Sequence, residues 1–178
     1  SVDAQVHYLQ RERKGTSAQT LAGLIRDFYL ERVTLVMRHE DVAQVITDYD
    51  VNNAYQYIIA REQTHLSWLQ HALLDLGAPL ANDPARGATL SAKGDTWKQF
   101  AGEDARANAK FVEKWRDKVE GVSHARHKGM LKVVLGETLE HKRLFDQASE
   151  GRKDLIGKSL DINDHSGAVM PVRFVGDI

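Results

Sequence analysis

Ile59-Ala60-Arg61-Glu62-Gln63-Thr64-His65-Leu66-Ser67-Trp68-Leu69 sets an acid and a histidine three residues apart within an apolar helical stripe. Each residue turns an α-helix by about 100°. On that count Tyr55, Ile58, Ile59, Leu66, Leu69 and Leu73 share one side; Glu62 falls at its middle and His65 at its edge. A carboxylate at the centre of an apolar face is costly unless it is paired or bound to a cation. An ion pair, a water-facing helix and a metal ligand are the three readings of such a motif taken alone.

Working outward, helical spacing predicts four long helices. The one holding the quoted stretch runs from about Asn52 to Leu76, with Gly77 a natural stop. Before it, Leu21, Leu24, Ile25, Phe28, Leu35, Val42 and Ile46 mark a helix from about Ser17 to about Thr47, with Thr16-x-x-Gln19 as a capping box. After it, residues 77 to 94 carry Pro79 and Pro84 and few bulky apolar side chains, and read as a long connection. A third helix, about Asp95 to Val119, sets Trp97, Phe100, Phe111, Trp115 and Val119 on one face. Gly121-Val122-Ser123 is a short turn into a fourth, about His124 to Ser149, with Met130, Val133, Val134, Leu144 and Phe145.

Short links make helices 1 and 2, and helices 3 and 4, antiparallel hairpins. The long link between helices 2 and 3 predicts one crossover along the bundle. The expected fold is therefore all-α: an antiparallel four-helix bundle over residues 1–150, plus a tail, 151–178, that packs on the bundle or on a partner subunit. The stretch Val2 to Leu9 carries no clear assignment.

Composition narrows the chemistry. The 178 residues suffice for one domain with its own core. Net charge is −1, with Lys and Arg scattered among Asp and Glu, so no basic face for nucleic acid is expected. No run reaches the ~18 apolar residues of a spanning helix. A cytoplasmic location is the default expectation. The chain has no cysteine, which removes disulfides, thiolate metal sites and cysteine nucleophiles. A metal would have to be held by His, Asp or Glu.

The other helices supply such groups. On helix 4, Glu137 is centred among Met130, Val133, Val134 and Leu144; Glu140 takes the place of His65, and His141 that of Leu66. On helix 3, Asp104 lies among Trp97, Phe100, Phe111 and Trp115, with Glu103 further off the centre. Helix 1 offers Glu31, nearer its stripe's edge. Converging acids would repel unless two divalent cations neutralised them. The competing reading pairs some of them with Arg32, Arg38, Arg61 or Arg106 at the bundle rim.

This pattern resembles the ferritin-like superfamily of di-iron carboxylate proteins, the group of bacterioferritin and rubrerythrin, over about residues 17 to 149. The stretch from Ile59 to Leu69 is especially rubrerythrin-like. The resemblance implies two bound metal ions, an iron pair or a manganese–iron pair, held by Glu31, Glu62, His65, Asp104 and Glu137, with Glu62 and Glu137 bridging. It implies an oxidoreductase reacting with O2 or hydrogen peroxide, supplied with electrons from an external donor, and a homodimer or larger homo-oligomer. Tyr29, Tyr55 or Tyr57 could sit beside such a site. The last motif departs from the family: Glu137-Thr138-Leu139-Glu140-His141 puts Glu where the family has His. Either Glu140 is the last ligand, or local winding brings His141 inward. Gly136 could give room for that crowding, or could only let helices approach closely. An iron-storage shell subunit and a metal-binding module with a decayed site are the alternatives.

Overall fold

The computed structural model describes residues 2–152 and 154–156, with side chains from Leu21 onward except Asp95. Four helices make up the bundle: α1 (Val2–Val45), α2 (Tyr49–Asp75), α3 (Trp97–Glu120) and α4 (Ala125–Ser149). A 3-10 turn at Gly94–Thr96 leads into α3, and no strand occurs among the described residues. No described helix is long and apolar enough to cross a membrane.

Helix ends follow local chemistry. Asp48 caps α2, its carboxylate accepting from the backbone N–H groups of Asp50 and Val51, each at 3.1 Å. Gly77, at φ +69°, ends that helix in the left-handed region, where a side chain would be strained. His124 begins α4, its ring nitrogen accepting from the N–H of His127 at 3.3 Å. Helix α1 differs from the expectation: it begins at Val2 and continues through Thr16 and Gln19, so the helix does not start there. Nothing between Val2 and Thr20 breaks a helix apart from Gly15, which costs only about 1 kcal/mol in a helix interior.

Each helix buries residues at alternating spacings of three and four, the seam that lets helices pack nearly in line. On α4 the buried set is His127, Leu131, Val134, Leu135, Thr138, His141, Phe145 and Ala148. Val133, expected in the core, is exposed, as is Leu139. Gly136 is exposed too, with open space around its Cα, so it relieves no crowding.

Contacts between helices are ordered. Asn52 reaches the Ala43 carbonyl, while Arg32 reaches Glu62, so α1 and α2 are antiparallel. Phe28 packs on Phe111 and Trp115, and Arg38 meets Glu103, so α1 and α3 are antiparallel as well. Arg126 meets Asp75 and Tyr55 meets Phe145, placing α4 antiparallel along α2. The segment between α2 and α3 lies on α1 and α2: the Pro79 carbonyl accepts from Arg26, Ala81 exchanges two hydrogen bonds with the Gln70 amide, and Arg86 pairs with Glu40 and Asp41.

Two hydrophobic clusters fill the interior. One includes Ile25, Phe28, Leu69, Phe111, Trp115 and Leu131. The other includes Val42, Val51, Ile58, Trp97, Ala101 and Phe145, and takes in Leu155 just past α4. Most of the tail expected to dock, residues 157–178, lies outside the described residues.

Candidate functional site

A polar layer separates the two apolar clusters. It is built from Arg32 and His39 of α1, Glu62 and His65 of α2, Asp104 and Asn108 of α3, and Thr138 and His141 of α4, all buried. These positions fall on the seam of each helix, which is why they face one another.

Glu62 is the hub. Its Oε1 accepts from Arg32 Nη2 at 2.9 Å, and its Oε2 from His39 Nδ1 at 2.8 Å. His141 Nδ1 lies 3.5 Å from the same Oε1, beyond good hydrogen-bonding distance. Burial pushes the Glu62 carboxyl upward, but His39 and Arg32, with His141 adding to them, outweigh it and hold the group well below the usual carboxylate range. Glu62 is therefore a sealed anion, bonded by Arg32 and His39, with the His141 ring near its Oε1.

His65 faces α4 and donates through Nε2 to Glu137, which is half-buried and also takes Arg61 Nη2 at 2.6 Å. The His65 and His141 rings lie nearly parallel, their centroids 6.3 Å apart. Nδ1 of each is buried without a hydrogen-bond partner among the described residues. On the far side Asp104 accepts from the Tyr55 hydroxyl at 2.7 Å and lies 3.4 Å from Arg38 Nε. Burial raises the Asp104 carboxyl, against the pull of His39, Tyr55 and Arg38.

Of the residues expected at the centre, the structure brings together Glu62, His65, Glu137 and His141 on the α2–α4 side, with Asp104 behind Tyr55. It does not bring in Glu31, which points outward to Lys114 and accepts from Trp115 Nε1 at 2.9 Å. Glu140 is also outside, exposed and paired with Arg143 at 3.2 Å. Between Glu140 and His141, it is His141 that faces inward, from a regular α-helix without local rewinding. Between Glu103 and Asp104, Asp104 is inside while Glu103 binds Arg38 at 2.6 Å. Arg32, expected at the rim if it paired at all, is fully buried. Of the tyrosines, Tyr55 is in the layer, Tyr57 is half-exposed, and Tyr29 hydrogen-bonds Asp83 away from it.

Three members of the layer were not anticipated: His39, Asn108 and Thr138. His39 lies seven residues from Arg32 and three from Val42, a spacing that places it on the seam. A cavity of about 350 Å3 opens beside the layer between α2 and α4, reaching Tyr57, Arg61, Glu137 and His141 and walled by Leu144 and Leu155.

His65 gives the layer a pH signature. Burial drives its ring down to about 4, the bond to Glu137 recovering only part of the loss and Arg32 adding to it. An unfolded histidine titrates near ~6.5. Between those values the unfolded chain holds a proton that the folded chain lacks, so stability falls as pH drops through that window. Glu62 continues the trend: its contribution is present above the ordinary carboxylate range and is lost as pH falls through its lowered value. Thermal midpoints measured from about pH 7 to about pH 4 should fall, and fall less steeply in His65→Gln. Parallel curves for the two proteins would contradict a buried neutral His65.

Among the described residues, no three His, Asp or Glu side chains are grouped as a metal ion would require. No protein-family model, curated protein or solved structure matches the chain.

Proposed function

We propose that this chain is a metal-dependent oxidoreductase of ferritin-like build, using Glu62, His65, Glu137 and His141 to hold a redox metal that reacts with O2 or hydrogen peroxide. The ordered contacts above support the topology. With α1 antiparallel to both α2 and α3, the segment joining α2 to α3 is a crossover along the bundle, the arrangement of ferritin-like folds.

The observation that carries the reading is three histidine nitrogens, His39 Nε2, His65 Nδ1 and His141 Nδ1, buried in the same layer as the Glu62 carboxylate with no hydrogen-bond partner among the described residues; those of His65 and His141 lie on the α2–α4 side. Buried polar atoms are rarely left unsatisfied, and imidazole with carboxylate is a donor set that suits iron or manganese. The two acids with a ring already beside them, Glu62 and Glu137, would complete the set. Glu137 would have to leave Arg61, which sits at the rim where water can receive its guanidinium. The metal when bound supplies the electron exchange with oxygen or peroxide; the chain supplies its ligands, a largely water-free setting and the side cavity as an approach. Electrons would come from an external donor, since no cysteine-based centre is available. A homodimer or larger assembly belongs to the same proposal.

Anaerobic ferrous titration followed by peroxide tests this. The wild type should take up iron and oxidise it faster than buffer alone, and Glu137→Ala and His141→Ala should each weaken uptake by at least roughly 10–100-fold. A second reading has its own support, because Glu62, Asp104 and Glu137 each already face a guanidinium. In that reading the layer is a metal-free ion-pair core descended from a metal site, and the wild type would take up no iron. Iron storage predicts instead a very large hollow particle on size separation.

A further inference from the structure

We infer that the groove between α1 and α3 binds a monomeric amphipathic carboxylate, its acyl chain lying on Leu30, Leu35 and Phe111 over Ala107 and its head on Lys110. None of the groove's lining residues belongs to the polar layer, so the site is independent of the metal reading.

One small residue opens the groove. Helices α1 and α3 are held together at two levels. Phe28 packs against Phe111 and Trp115, with ring centres 4.9 and 5.1 Å apart, and Arg38 bonds Glu103 at 2.6 Å. Ala107 lies one turn from Phe111 and one turn from Glu103, so it falls between those levels. Its single methyl group leaves the gap unfilled, and a space of about 520 Å3 remains, walled by Leu30, Leu35, Ala107 and Phe111. Small-molecule sites typically run from about 300 to about 1,000 Å3 and are mostly apolar, with a few placed polar groups. The floor is preformed: the Phe111 ring is buried, packed on Phe28, and has the Arg32 guanidinium 5.5 Å from its centre. Little ordering is left for binding to supply.

The polar groups at the groove are few and unequal. Thr34 turns its hydroxyl to the Leu30 carbonyl at 2.8 Å. Glu31 accepts from Trp115 Nε1 at 2.9 Å through one oxygen and pairs with Lys114 through the other. Lys110 has no ion-pair partner among the described residues. A free cation thus stands at the edge of an apolar trough, and its complement is a single anionic head on a hydrocarbon body. A single-chain acid in solution fits better than an anionic bilayer, because α1 sets Asp27 and Glu31 at successive turns beside the groove and a charged surface would meet both. A second copy across a two-fold axis fits poorly too. The same patch would face itself, bringing together Lys110, Lys114 and Lys118 of each α3 with Glu31 already engaged.

Calorimetric titration of the full chain with decanoate, kept below its micelle concentration, is the test. A single saturable site per chain is expected, with decanol bound more weakly by roughly tenfold for want of the charge. Ala107→Leu, which fills the trough, should weaken decanoate binding by at least roughly tenfold without lowering the thermal midpoint. Lys110→Glu should weaken decanoate by a similar factor and leave decanol unchanged, a split that loss of structure would not give. No saturable binding by the wild type, decanol bound as tightly as decanoate, or unchanged decanoate affinity in either variant would each overturn the inference. So would adsorption to phosphatidylglycerol vesicles that Lys110→Glu abolishes, or a wild-type dimer that Ala107→Leu dissociates, because the occupant would then be a bilayer or a second copy. If Ala107→Leu is unfolded by circular dichroism, Lys110→Glu and the decanol comparison decide the matter.

Discussion

Glu62→Ala is expected to lower the unfolding free energy by roughly 3–5 kcal/mol, the loss typical of breaking a buried ion pair from one side. Alanine removes the acceptor for Arg32 at 2.9 Å and for His39 at 2.8 Å. The guanidinium would remain enclosed beside Phe111 with no anion in reach, and its burial would go uncompensated. Equilibrium urea unfolding measures this, as a lower midpoint at unchanged slope. A loss below about 1 kcal/mol would place Glu62 with ordinary surface pairs and remove it from the centre of the layer. The same variant should hold no metal at the site, which elemental analysis reads separately from stability.

Arg32→Met alone should cost about as much as Glu62→Ala, because Glu62 would then be buried with His39 as its only close donor. Combining it with Glu62→Leu should give back most of the loss. Buried ion pairs replaced together by hydrocarbon of similar volume are often neutral or stabilising. Here a residue of about 1–3 kcal/mol should persist, since His39 Nδ1 loses its acceptor. The double-mutant cycle should therefore show several kcal/mol of coupling between positions 32 and 62. Additive losses would mean that the two side chains do not act on each other, and with that the account of the layer fails.

How much of this was legible in sequence depended on which helix was read. The stripe on α2 was clear because apolar residues surround Glu62 and His65 at seam spacing, so both were placed inside. The short turns and the long proline-bearing link were legible for similar reasons, and three of the four helices lie within a few residues of their expected limits. On α4 the apolar pattern misled. Val133 and Leu139 are hydrophobic but exposed, and counting Val133 as core turned the inferred face toward Glu137 and Glu140. The true seam, His127-Leu131-Val134-Thr138-His141-Phe145-Ala148, spends three of its seven positions on polar side chains, which a hydrophobic stripe passes over. On α1 the same blindness hid Arg32 and His39. An arginine is almost never fully buried unless paired, and its partner is thirty residues away on another helix, so no local signal marks it.

The layout of the interior has a consequence for alignment. The polar layer is narrow and has apolar clusters on both sides. Apolar seams alone would tolerate helices sliding past one another by a turn, about 5.4 Å, since one leucine replaces another at little cost. Here such a slip of α1 would carry Arg32 off Glu62 and into hydrocarbon, and strand His39 with it. The charged layer therefore acts as a register pin, allowing one axial setting of the helices in which every charge meets its partner.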